Sequence, residues 1–278
     1  MRRTVVLSLA AAALAAVTGT LSAQGPVPDD KIWRLKGLRT AFCIQFLMDP
    51  ASDALKELPP GYHPVSASDA SDLHVSLRGV VEGQPEFAAW SPARLCFAAA
   101  DTVQTNEFTL ADGKRQRVHL FGSWTVLAAA PSGPAGDVAL KLFSSSNRLI
   151  GSARKAGHLV REARVAVGLV PAEDENGVPS SDERFQVKVG KTLITWDGPP
   201  ARASAAVREP WHLSWAATGD RRRVVSGEVV LSPASSRPMV GALKVEGKDA
   251  FAKALRASPT RFAGPAYQGG EGSIVFRK

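Results

Sequence analysis

The chain carries two cysteines, Cys43 and Cys96, and each sits inside a short apolar segment. Around the first, Ala41 to Leu47 alternates: Phe42, Ile44 and Phe46 point one way, Cys43, Gln45 and Leu47 the other. That is the two-residue period of a β-strand. The second lies in Arg94-Leu-Cys-Phe-Ala98, part of an apolar run to Ala100 that suits a buried strand. An even count leaves no orphan thiol, so in an exported chain the pair predicts one disulfide stapling two core strands. The chain-entropy account gives a staple of this loop length about 4 kcal/mol. A redox role would require Cys-x-x-Cys, which is absent.

The N-terminus supplies the exported context. Arg2 and Arg3 precede an uncharged apolar run from Val5 to Val17, and small and polar residues follow to Leu21-Ser-Ala23. Residues 1–23 therefore read as a secretory signal peptide, which places the protein in the periplasm or outside the cell. The run is shorter than the ~20 residues a spanning helix requires, and no later apolar stretch is longer, so no membrane span is expected. Residues 24–278 read as a single β-rich domain. The formal charge is +8, but the cations are scattered. Only Arg221-Arg222-Arg223 cluster, after a Thr-Gly-Asp turn, which marks a solvated hairpin tip. No aromatic or helical readers accompany the cations, so nucleic acid is not an expected partner. Nothing in the sequence sets the oligomeric state.

Along the chain, Asp49-Pro50 has the form of a helix start, with Ala54, Leu55 and Leu58 on one face and Pro59-Pro60-Gly61 as the stop. Residues 66–90 are ambiguous: Leu73, Val75 and Leu77 alternate as a strand does, while Ser71 and Asp72 are equally placed to cap a helix. Hairpins follow. Asp112-Gly113 lies between two strand patterns, and Pro131-Ser-Gly-Pro134 makes a turn. Residues 144–157 predict a helix with serines to cap it, Leu149, Ile150 and Ala153 on one face and Gly157 as its end. Further strands surround Val165, Val187, Trp196, Leu213, Val229 and Ile274, with a short helix at 248–255. The expected architecture is mainly β (α+β): a large antiparallel barrel or double sheet of about ten strands with a few short peripheral helices.

Motifs that carry chemistry are sparse. The five histidines, at 63, 74, 119, 158 and 212, include no pair at metal-ligand spacing. Gly-x-Ser-x-Gly is missing, and Gly269-Gly270-Glu271-Gly272 lacks the Lys-Ser or Lys-Thr of a phosphate cradle. No metal and no cofactor are implied. Of the six tryptophans, five fall in or beside predicted strands. They either fill a core or line an apolar pocket within a barrel, the second use pointing to a small-molecule ligand. Trp124, Trp196 and Trp211 are the candidates for that lining.

Three segments resemble acetoacetate decarboxylase-like proteins. The first is Asp49-Pro-Ala-Ser-Asp-Ala-Leu-Lys-Glu-Leu58 with Pro59-Pro-Gly-Tyr-His-Pro64, similar to that family's lead-in to its barrel. The second, Arg148-Leu-Ile-Gly-Ser-Ala-Arg-Lys-Ala-Gly157, resembles its lysine segment. The third is the corner Trp196-Asp-Gly198-Pro199. In that family the first of two lysines forms a Schiff base with the substrate ketone, from an amine kept neutral by desolvation and a neighbouring cation. Here Arg154 holds the first place and Lys155 the second. A guanidinium stays protonated and cannot form the imine, and the segment's proline and leading glutamate are missing. The resemblance therefore implies a barrel that binds an apolar or weakly acidic small molecule without catalysis, with Arg154 and Lys155 as charge partners. One alternative is a decarboxylase- or aldolase-type enzyme using Lys155; another is an envelope interaction or structural module.

Overall fold

The computed structural model describes residues 32–71, 73–101, 106–109, 115–173, 176–199 and 204–277. Residues 1–23, expected to form a signal peptide, Asp72 and the expected turn at Asp112-Gly113 lie outside the described residues.

Strands β1 (Ile32–Lys36), β2 (Leu38–Met48), β3 (His63–Pro64), β4 (Ser91–Ala100), β5 (Asn106–Thr109), β6 (Arg115–Ala129) and β7 (Ala135–Ser144) make up the first half, with helix α1 (Val75–Gly83) before β4. Helix α2 (Asn147–Lys155) leads into β8 (Val160–Glu173), β9 (Pro179–Val189) and β10 (Thr192–Gly198). Then come β11 (Ala205–Ala206), β12 (Trp211–Thr218), β13 (Val224–Ser232), β14 (Ser235–Arg237) and β15 (Ala242–Glu246). Helix α3 (Ala250–Ala257) precedes β16 (Arg261–Ala263), β17 (Ala266–Gln268) and β18 (Glu271–Arg277).

Pairing runs β1–β18–β13–β12, all antiparallel. Strand β12 then joins β7 in parallel, at Ala216↔Val138 and Ala217↔Ala139. From β7 the array continues antiparallel through β6, β4 and β2, and β2 takes β16 and β17 on its far side. At its other end β7 pairs in parallel with β8, which opens a second ribbon, β8–β9–β10–β15. Among the described residues strand β1 pairs only with β18 and β15 only with β10, so the array does not close. The expectation of a mainly β fold holds, with three departures. The sheet is mixed at its two β7 junctions, it is open, and the described residues form eighteen strand segments instead of about ten. The surplus is mostly pieces such as β3, β11, β14, β16 and β17, too short to show a period.

Alternation along β2 divides the interior. Phe42, Ile44 and Phe46 enter an inner core with Phe97, Trp124, Phe143 and Phe185. Phe42, Phe97 and Phe185 form a triangle with ring centroids 5.0–5.2 Å apart. The opposite face forms an outer core around Phe121, Trp215 and Phe276, covered by Leu149, Ile150 and Ala153 of α2. Cys43 and Cys96 are direct cross-strand partners and are disulfide-bonded, with Cα atoms 4.0 Å apart.

Local chemistry explains the helices. Ser146 caps α2 by accepting from the Leu149 N–H, and Gly157 follows it at φ +88°. Asp249 caps α3 by accepting from Ala252 N–H at 2.9 Å, and it also accepts from Thr192 Oγ1 at 2.6 Å, which ties α3 to β10. The expected helix after Asp49 is instead a 3-10 turn, Asp53–Glu57, capped by Ser52. Asp49 accepts from the Ala51 N–H at 2.7 Å, so its cap is spent on a turn. Residues 75–83 resolve as α1, with the His74 ring accepting from the Ser76 N–H. The Arg221-Arg222 tip is an exposed tight turn between β12 and β13, with φ of +53° and +58°.

Candidate functional site

Along β2, β9 and β10 the inner core runs from a closed end beside α3 to an open one. At the open end the strands border a cavity of about 660 Å³, within the range of small-molecule sites. Its buried side is Phe42 and Phe185. Val167 of β8 and the half-buried Trp196 of β10 flank these, joined by Met239, just after β14. Pro171, Ser180 and Ser181 of the β8–β9 hairpin stand exposed at the rim.

The geometry follows from the hairpin that joins β9 to β10. Gly190 takes φ +58° in the two-residue link between the paired Val189 and Thr192, which suits the mirror-image turns that match strand twist. With that register, Phe185 lies opposite Trp196 and Glu183 opposite Gly198, all on the inward side. Gly198 then permits a close crossing: a Cβ there would meet the Val240 carbonyl oxygen at 2.0 Å. The Trp-Asp-Gly-Pro corner thus lets residues 237–241 pass directly over the end of β10, bringing Arg237 and Met239 to the cavity.

Three guanidinium groups and one carboxylate belong to the lining, and each cation has an acidic partner. Arg39 Nε donates to Asp101 Oδ1 at 2.6 Å. Arg184 grips Asp197 with two bonds, at 2.6 and 3.0 Å, and that grip raises the guanidinium's pKa above its ordinary value. Arg237 Nη2 donates to Glu183 Oε2. The Arg237 side chain is 13% exposed, against 47% for Arg39 and 43% for Arg184, so it is the cation most withdrawn from water, while its partner Glu183, at 37%, is as open as the other two acids.

The sequence candidates are dispersed. Trp196 lies in the lining. Trp124 is buried in the inner core, edge-on to Phe46 at 5.4 Å and to Phe251 at 4.9 Å. Trp211 is half-buried and packs against the outer core beside Tyr267. Arg154 and Lys155 are exposed on the last turn of α2, away from that helix's buried face, and neither borders the cavity. The reading of the sequence missed Phe42, Phe185, Glu183, Arg237 and Met239 as a group. Alternation marked the two phenylalanines as inward, but nothing local signals the others.

It also missed Lys141 on β7, at the closed end. Its Nζ sits 3.3 Å above the Phe251 ring. Burial pushes its pKa down to about 8, with Arg161 acting in the same direction and Asp249 and Glu57 against it. Among the described residues no group of three or more His, Cys, Asp or Glu side chains is arranged to hold a metal ion.

No protein-family model and no curated protein matches the chain. Solved structures do. An enduracididine biosynthesis enzyme, MppR, complexed with pyruvate, superposes with a TM-score of 0.50 at 13% identity, over 94% of this chain and 93% of that one. An acetoacetate decarboxylase gives 0.46 at 12% identity, over 90% and 88%. An acetoacetate decarboxylase-like enzyme from Sphingomonas wittichii RW1 gives 0.40 at 11%, over 93% and 95%. At 13% identity the likeness to MppR speaks for architecture alone: the two chains share a β-rich fold.

Proposed function

We propose that this is an exported protein that binds an apolar or weakly acidic small molecule in the β2/β8–β10 cavity, without transforming it. The observation that carries the reading is the aromatic-lined cavity itself, with Phe42, Phe185 and Trp196 around about 660 Å³. Arg154 and Lys155, which the sequence resemblance sets at the places of a lysine pair, are exposed on α2 and outside the lining. From there neither side chain reaches a ligand held between Phe42, Phe185 and Trp196. Their role as charge partners is then limited to ligands or surfaces approaching α2. Export, with removal of residues 1–23 from a single domain of residues 24–278, is supported by the Cys43–Cys96 disulfide, a bond that persists in oxidising compartments. No helix among the described residues is long and apolar enough to cross a membrane.

Half-buried Trp196 supplies the test. Tryptophan fluorescence and thermal shift against a library of small aromatic and aliphatic compounds should yield saturable ligands, and Trp196→Phe should remove most of the optical signal while leaving the protein folded. A folded protein that no compound perturbs would defeat the reading. The enzymatic alternative rests on the fold likeness to enzymes, one of them solved with pyruvate bound. It predicts that borohydride with pyruvate or a β-keto acid reduces an adduct onto Lys155. Mass spectrometry showing no such adduct supports binding without chemistry.

A further inference from the structure

Resting on the cavity reading and narrowing its ligand class, we infer that the site accepts only molecules uncharged at neutral pH, an apolar body bearing a neutral carbonyl or hydroxyl, and that Glu183 excludes carboxylates.

Three arginines beside one cavity would ordinarily mark a receptor for acids. Here Asp101, Asp197 and Glu183 already occupy Arg39, Arg184 and Arg237. An incoming carboxylate has two courses. It displaces one of these acids, or it sits near them as an additional negative charge. At Arg237, the least exposed of the three cations, displacement would leave Glu183, which shares its inward face with Phe185, unpaired beside a second anion. Separating an ion pair whose cation is withdrawn from water, while adding a like charge beside its carboxylate, is unfavourable on both counts. It is also the repulsive element that specificity commonly requires.

A neutral ligand meets neither penalty. Its body gains contact with Phe42, Phe185, Trp196 and Met239. Its polar group finds hydroxyls in the same lining, on Thr40, Ser180 and Ser181, and hydroxyls donate and accept equally well. The three ion pairs then act as a fixed polar collar of zero net charge.

The test compares matched amide and acid probes of one skeleton, 4-phenylbutyramide against 4-phenylbutyrate, with naphthyl and medium-chain aliphatic pairs beside them. Titration calorimetry at pH 7.5 would use the wild type, Glu183→Gln and Glu183→Asp, with circular dichroism confirming folding. In the wild type the amide should bind at least about tenfold more tightly than the acid. Glu183→Gln, which keeps the size and removes the charge, should close that gap, the acid gaining about tenfold relative to the amide. Glu183→Asp should still reject the acid. Equal wild-type affinity for both members of a pair, or a gap that survives Glu183→Gln, overturns the inference while leaving the cavity reading intact. A folded wild type that binds no probe and shows no change at Trp196 removes the cavity reading, and this inference with it.

Discussion

At one end of the inner core Phe251 lies edge-on to Trp124 at 4.9 Å and both are buried; at the other, Phe185 and Trp196 border about 660 Å³ of space. The two ends use the same materials, aromatic side chains projected from alternating strand positions. They differ in what returns to cover them. Helix α3 docks squarely on the first, because Asp249 both caps it and holds Thr192 at the start of β10. Over the second passes an extended segment, 237–241, drawn close by Gly198 but presenting Arg237 and Met239 at the edge instead of a helix face. Strand register supplies the aromatic faces; the segment that comes back decides whether they become core or cavity.

Truncation at each end separates these roles. Phe251→Ala should cost about 3–5 kcal/mol, as a large buried ring is lost with little room for collapse. Urea unfolding reads this as a lower midpoint, and ligand affinity at the far end should hardly move. Trp196→Ala, at a half-exposed site, should cost about 1 kcal/mol yet reduce binding severely. If Phe251→Ala weakens the ligand as much as Trp196→Ala does, under conditions where both fold, the two ends are one unit and the comparison fails. The Cys43–Cys96 bond belongs to neither end, since it bridges β2 and β4 on the side away from the inner core. The double Cys→Ala variant should lose about 2–4 kcal/mol without altering ligand preference. Removing the α3 cap by Asp249→Ala should cost about 0.5–2 kcal/mol, with hydrogen exchange rising first in α3. Exchange that rises equally at the cavity strands would show that the cap also supports the open end.

The same contrast shows what was legible in the sequence. Features decided within a few residues could be read directly: Ser146 and Gly157 bounding α2, the alternation of Phe42, Ile44 and Phe46, the exposed tip at Arg221. The pairing of Cys43 with Cys96 was legible because two cysteines in strands have one partner each. Where two local solutions compete, the reading slipped. Asp49-Pro50 could cap a helix or close a turn, and the turn formed. The cavity was not legible, since it joins β2, β8, β9, β10 and residues 237–239, whose meeting depends on register and on one crossing at Gly198. Arg154-Lys155 attracted attention because they are contiguous, whereas Arg237 and Glu183 meet across 54 positions of sequence.

The closed end also carries a pH effect of definite sign. Desolvation by its neighbours lowers the Lys141 pKa from 10.5 to about 8, against the pull of Asp249 and Glu57. Between those values the unfolded chain holds the proton more firmly than the folded one, so stability contributed at this site rises with pH from about 8 to 10.5 and is flat below. Other groups titrate in the same range, so the readout is a difference. Unfolding midpoints of wild type and Lys141→Met, measured from pH 7 to 10, should converge or cross as the wild type gains. His158 slopes in a separate window. Burial lowers its pKa, despite the Arg277 carbonyl 2.9 Å from Nε2, so its contribution is complete above about pH 6.5 and is lost as pH falls below that value. A His158→Gln variant should flatten the acid arm and leave the alkaline one, and Lys141→Met the reverse. Parallel pH curves for wild type and Lys141→Met would mean that Lys141 keeps its water, and that α3 does not seal its end of the core as tightly as the 3.3 Å contact with Phe251 implies.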